Sequence, residues 1–285
     1  MSGSPRVLFV GGLHRSGTTP LTRWISEHQG VSAFSDTNAP EDEGQHLQDV
    51  YATAAAHGGP GRFALAPGAH LTEGSSLVSE ESRRRIWSSW APHWDLSKPV
   101  VVEKSPPNLV RTRFLQALFP DRAYFLMVVR HPIAVAYATK RWTRRYRWIP
   151  APATRRVGAL QADVHSLIRH WSAAHRTFLA DAPHLDNVLL VRYEDLIASP
   201  GGQLATVMRF VGLEPEPANW EVRTALNERY VERWRRHSST PVGRAYLRRV
   251  EAELEPEVRS FGYSLARPSE LGSPEPPVAA YMKTP

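Results

Sequence analysis

The chain has 285 residues and 32.0 kDa, enough for one large domain or two small ones. Its 42% hydrophobic and 22% charged residues are an ordinary globular mix, and no apolar run approaches the ~20 residues that span a bilayer. It has no cysteine, which excludes disulfides, thiolate catalysis and cysteine-bound metal, and its net charge of +7 is carried almost wholly by arginine.

In chain order, Arg6 to Val10 reads as a buried strand ended by Gly11 and Gly12. The segment "VLFVGGL" is too short for a signal peptide, so the expectation is a cytoplasmic protein. Thr18 to His28 reads as a helix with Leu21, Trp24 and Ile25 on one face. Residues 30–95 are rich in Gly, Pro, Ser and His and are expected to be irregular, with short helices hidden among them. "VVVE" at 100–103 is a second strand ending at Lys104; Asn108 to Leu118 is helical; "AYFLMVV" at 123–129 is a third strand ending at Arg130. Pro132 suits the first turn of a helix through about Trp142. A long helical pattern covers 155–181, "NVLLVRY" at 187–193 is a fourth strand, and helices follow at 201–211, 221–235 and 243–257. Trp24, Trp171 and Trp234 fall on apolar helical faces and are expected in the core. Short apolar strands alternating with helices predict an α/β domain over 1–266, a parallel sheet with helices on both faces. The Pro- and Ser-rich tail, 267–285, is expected to be disordered.

Ligands of such sheets bind at the carboxyl ends of the strands. Three of those ends carry loaded residues: "GGLHRSGTT", "EKSPP" and "RHP". Gly12 and Gly17 have the spacing of the phosphate loop G-x-x-x-x-G-K-[ST], and Thr19 fills its hydroxyl position. Thr18, however, stands where the lysine belongs. Arg15, Ser16, Gly17, Thr18 and Thr19 can still present N–H and hydroxyl donors to an anion at a helix N-terminus. A triphosphate needs the lysine beside Mg²⁺. A sulfuryl group carries less charge, and its transfer can proceed on N–H donors and one or two cations without a metal.

Together, "HRSGTT" at 14–19, "EKSPP" at 103–107, "RHPIAVAYATKRW" at 130–142 and "VRYEDL" at 191–196 resemble a sulfotransferase that uses 3′-phosphoadenosine-5′-phosphosulfate. The resemblance runs from about residue 6 to "FGYSL" at 261–265 and is closest to the bacterial and tyrosylprotein-type branch. It implies a P-loop-like parallel sheet flanked by helices. Arg15 to Thr19 would form the 5′-phosphosulfate loop, Arg130 would hold the 3′-phosphate, and Tyr193 would lie near the nucleotide. Where the family usually places a serine, this chain has Ala138. "STPVGRAY" at 239–246, with Gly243 and Arg244, is a loose match to the glycine-rich loop of cytosolic relatives. Lys104 matches a lysine near the bridging oxygen. The general base is expected in "DTNAPEDEGQHLQ" at 36–48, with Glu43 chosen and Asp36 and His46 as alternatives. No metal is implied. The acceptor would be a hydroxyl of a small molecule, such as a natural product, or of a glycan. The run "RWTRRYRW" at 141–148 could line its site, with part of the pocket from 30–95. Neither nucleic acid nor membrane is an expected partner, and oligomeric state is not readable. Two rival readings are a small-molecule kinase with a degenerate loop and a polyanion-binding protein; the second explains none of the strand-end motifs.

Overall fold

The computed structural model describes residues 4–145, 163–216 and 227–272. Five parallel strands form one sheet: β1 (Arg6–Gly12), β2 (Val31–Ala33), β3 (Val100–Lys104), β4 (Ala123–Val129) and β5 (Val188–Arg192), in the order β2-β3-β1-β4-β5. Side chains alternate between the two faces of a strand, and here both faces are apolar. Val7, Phe9, Val101, Phe125 and Met127 enter one core, and Leu8, Val10, Val102, Leu126 and Val128 enter the other.

The second core is closed by Leu21 and Ile25 of α1 (Thr18–Ser26) and by Leu204, Val207 and Met208 of the helix Pro200–Phe210. The first is larger. It takes Trp90 of α2 (Glu80–Trp90), Phe114 and Leu115 of α3 (Thr112–Leu118), Ile133 of α4 (Pro132–Arg145), and Ile168, Trp171 and Phe178 of α5 (Val164–Asp181). Trp234 and Val250 reach it from the C-terminal helices Glu228–His237 and Pro241–Arg259.

The segment expected to be irregular holds more order than its composition suggests. It contributes edge strand β2, a series of 3₁₀ turns, and α2, whose N-cap Ser79 accepts from the Ser82 amide at 3.1 Å. Tyr193 opens a short helix, Tyr193–Ala198, rather than ending the strand. "STPVGRAY" is no loop: Thr240 caps the last helix on the Gly243 amide. A Cβ on Gly243 would fall 1.8 Å from the His237 carbonyl oxygen, so this glycine is required by close packing. Arg244 donates to the Ser238 carbonyl at 2.8 Å. Within the tail, Gly272 pairs with Gly262 and with Arg192; residues 273–285 lie outside the described residues, as does most of the basic–aromatic run 141–148.

The chain leaves β1 to one side for β2 and β3, then crosses to the other for β4 and β5. The connections after β1, β3 and β4 therefore open onto one crevice. Val10 is in register with Lys104, and Gly12 with Val128 two residues before Arg130. Register alone thus brings the three loaded strand ends together.

Candidate active site

The loop between β1 and α1 presents donors that an anion could take. Arg15 and Gly17 adopt left-handed backbone, φ 71° and 107°. Gly17 is the N-cap of α1, makes no side-chain cap, and is followed by no acid in the first turn. The positive end of α1 is left to an outside acceptor. Ser16 Oγ is buried yet has no hydrogen-bond partner among the described residues, a donor waiting for one. A Cβ on Gly17 would lie 2.5 Å from the Tyr193 ring, which fixes the ring against the loop.

Arg130 follows β4. It is buried, 7% exposed, and its side chain makes its hydrogen bonds to neutral acceptors: Nε and Nη2 donate to Asn227 Oδ1 at 2.9 and 2.6 Å, and Nη1 donates to the Arg15 carbonyl at 2.9 Å. Its guanidinium stacks 4.1 Å from the centroid of Tyr193. Burial pushes Arg130 down from its ordinary value. A buried cation without a direct carboxylate partner among the described residues is costly unless an anion arrives. Asn227 Nδ2 donates to Glu194 Oε1 at 2.6 Å. Glu194 also accepts from the His131 amide and from the Tyr263 hydroxyl.

Lys104, at the end of β3, is buried. Its ammonium donates to the Glu41 carbonyl at 2.7 Å and to Glu43 Oε1 at 3.2 Å. One of its three N–H groups has no protein partner among the described residues. Glu43 Oε2 accepts from Gln45 Nε2 at 2.5 Å and lies 3.8 Å from His46 Nε2. Burial raises the Glu43 carboxyl above its ordinary value, and Lys104 opposes that.

The Glu43 turn is pinned from three sides. Trp90 Nε1 donates to the Gly44 carbonyl at 3.0 Å, the Gln45 amide donates to Ser105 Oγ at 3.0 Å, and Gln45 Oε1 accepts from the Ala54 amide at 2.8 Å. Beneath it lies Glu103, fully buried, accepting from Ser105 Oγ at 2.6 Å and Asn108 Nδ2 at 2.5 Å. Burial pushes Glu103 up to about 7 against those two bonds. Gly44 is required here, since a Cβ would sit 2.5 Å from Glu103 Oε1.

His14, Arg15, Thr18, Thr19, Glu43 and His46 line one cavity of about 230 Å³. Burial, then Lys104, lowers His14 to about 3, so its ring is neutral. Asp36 faces a neighbouring cavity of about 280 Å³, shared with Thr19, Glu41 and Lys104. Ala138 is buried on α4. Glu43, Lys104 and the phosphate loop thus meet in one place, with Arg130 and Tyr193 packed behind the loop. Sequence reasoning missed Glu103, Glu194 and Asn227. The first two stand inside quoted motifs; nothing marks Asn227 in the sequence.

A family model described as a sulfotransferase family matches residues 5–217. The chain belongs to the sulfotransferase family. It is an enzyme of sulfuryl transfer, built on the five-stranded parallel sheet described above. Solved structures similar to this sulfotransferase include one from Alicyclobacillus acidocaldarius, 15% identical, covering 90% of this chain and 96% of that one at a TM-score of 0.49. A sulfotransferase domain from the curacin biosynthetic pathway is 16% identical over 76% of this chain and 77% of that one, TM-score 0.45. A mouse sulfotransferase complexed with PAP is 12% identical over 90% and 86%, TM-score 0.43. No helix among the described residues is long and apolar enough to cross a membrane.

Proposed function

We propose that this protein transfers the sulfuryl group of 3′-phosphoadenosine-5′-phosphosulfate to a hydroxyl of a small molecule, such as a natural product, or of a glycan, in the cytoplasm. The observation that carries the reading is the Glu43–Lys104 pair, 3.2 Å apart: Glu43 lines a cavity walled by the start of α1, and Lys104 lines the cavity beside it, which shares Thr19 and Glu41. The bound nucleotide would supply an activated sulfuryl group and a phosphate leaving group.

The donors fit such a ligand. Among the described residues Ser16 Oγ has no hydrogen-bond partner and the start of α1 has no side-chain cap, which suits a 5′-phosphosulfate held by Arg15, Ser16, Gly17, Thr18 and Thr19. Arg130, a buried cation held by neutral groups, suits the 3′-phosphate. Tyr193 backs both. The unused N–H of Lys104 would stabilise charge growing on the leaving oxygen. Glu43, raised by burial with Lys104 opposing the rise, would take the proton of the acceptor hydroxyl as the new sulfur–oxygen bond forms.

Thermal shift separates this from the rival chemistries, because a ligand of the native state stabilises it by mass action. 3′-Phosphoadenosine-5′-phosphate should raise Tm by several degrees, and ATP with Mg²⁺ or heparin by much less. A larger shift with ATP and Mg²⁺ would transfer the reading to a kinase, and one with heparin to a polyanion binder.

A further inference from the structure

We infer that Asn227 is a positioning residue for nucleotide recognition: its amide, braced by Glu194, aims the Arg130 guanidinium at the 3′-phosphate. The inference rests on the proposed role of Arg130 and extends it to a residue that lies beyond the matched family region, 5–217.

The geometry is specific. An arginine fork offers a side edge, Nε with Nη2, and an end edge, Nη1 with Nη2. Asn227 Oδ1 takes the side edge with both bonds, 2.9 and 2.6 Å. The Arg15 carbonyl takes one Nη1 hydrogen, which ties the fork to the phosphate loop. The remaining N–H groups are left for a ligand. Only one orientation of the Asn227 amide works. Its oxygen must face the guanidinium, because Nδ2 donates to Glu194 Oε1 at 2.6 Å; the flipped amide would set donor against donor.

Glu194 is itself fixed. Its two oxygens take the His131 amide, one residue from Arg130, and the Tyr263 hydroxyl at 2.6 Å. The chain of contacts Tyr263–Glu194–Asn227–Arg130 therefore joins the C-terminal segment to the nucleotide loop. A neutral amide suits this place better than a carboxylate. It orients the fork while leaving the cation's charge for the ligand, and Glu194 polarises it from one bond further away. Asn227 also starts the helix Glu228–His237, accepting from the amides of Tyr230 and Val231, so its backbone is set by the helix.

The test compares 3′-phosphoadenosine-5′-phosphate with adenosine-5′-phosphate, which lacks only the 3′-phosphate, by calorimetry. Asn227→Ala should weaken the first roughly tenfold, the scale of a lost bond to a charged group, and the second less than about twofold. Asn227→Ser, which keeps a residue favoured at a helix start but is too short to bridge Arg130 and Glu194, should behave alike. Arg130→Ala is run beside them. If Arg130→Ala loses discrimination and both Asn227 variants keep it, the positioning inference is overturned while the role of Arg130 stands. Equal weakening of the two ligands in the Asn227 variants would also overturn it, as a merely structural effect. If Arg130→Ala itself weakens both ligands equally, the underlying reading of Arg130 fails first.

Discussion

At the scale of single residues, the site is governed by one carboxylate with two neighbours. Glu43 Oε1 holds Lys104, and Oε2 takes the Gln45 amide. Glu43→Gln keeps size and most hydrogen bonding but removes basicity. It should cut kcat by ~10²–10⁴, the usual effect of losing a general base, with nucleotide affinity nearly intact. Asp36→Asn and His46→Gln should cost far less. A base works only when deprotonated, so kcat falls as pH drops through its pKa. Burial raises Glu43, so that acid limb should lie above the ordinary carboxylate value of 4.5. Lys104 pulls Glu43 down, so Lys104→Met should move the limb to still higher pH besides lowering its plateau. Near-normal turnover in Glu43→Gln, or a limb that moves to lower pH in Lys104→Met, would remove Glu43 from the role of base.

At the scale of elements, the strand–loop–helix unit is the proposed seat of nucleotide binding, and Gly17 is its hinge point. Its φ of 107° is unfavourable for any side chain, and a Cβ would strike the Tyr193 ring at 2.5 Å. Gly17→Ala should destabilise the fold by ~1–3 kcal/mol and weaken 3′-phosphoadenosine-5′-phosphate markedly, seen as a lower Tm and a calorimetric loss. Unchanged binding and Tm would mean that the loop is far more pliant than its geometry implies. This unit was legible in the sequence because an apolar run, a glycine pair at loop spacing and a helical face are all local signals. The ends of β3 and β4 were legible likewise, and helices on both faces follow from strands that are apolar throughout. The base turn was only half legible. Glu43 could be named, but what pins it comes from Trp90, Ser105 and Ala54, between 9 and 60 residues away. Edge strand β2 has three residues, too few to show a period, and α2 was hidden by five arginine and glutamate residues in its first turns, although Ser79 and Ser82 mark its cap. Asn227 is invisible for a plainer reason: its meaning depends on Arg130 and Glu194, 97 and 33 residues off.

At the scale of the molecule, the cores enclose groups that must stay neutral. His131, His170 and His175 are all at most 2% exposed, and burial lowers them to about 4, 3 and 4. In the unfolded chain each titrates near 6.5. Below that pH the unfolded chain binds protons that the folded one refuses, so their stabilising contribution is present above 6.5 and is lost as pH falls toward 4. Glu103 acts in the opposite sense. Its folded value of about 7 lies above the ordinary 4.5, so its contribution is full below 4.5 and gone above about 7. Near pH 5.5 these three histidines and His14, lowered to about 3, against one carboxyl leave a net uptake of about three protons on unfolding, a slope of about 4 kcal/mol per pH unit. Stability from urea titrations should therefore drop steeply between pH 6.5 and 4.5 and change little from pH 7 to 8. Glu103→Gln should steepen the fall, because it removes the one opposing proton. That variant also separates stability from catalysis. Glu103 touches Ser105 and Asn108 rather than the cavity, so with Glu43 as the proposed base the acid limb of kcat should stay near its original pH while the stability curve moves. A flat stability profile from pH 7 to 5 would mean that these histidines already take up protons in the folded protein.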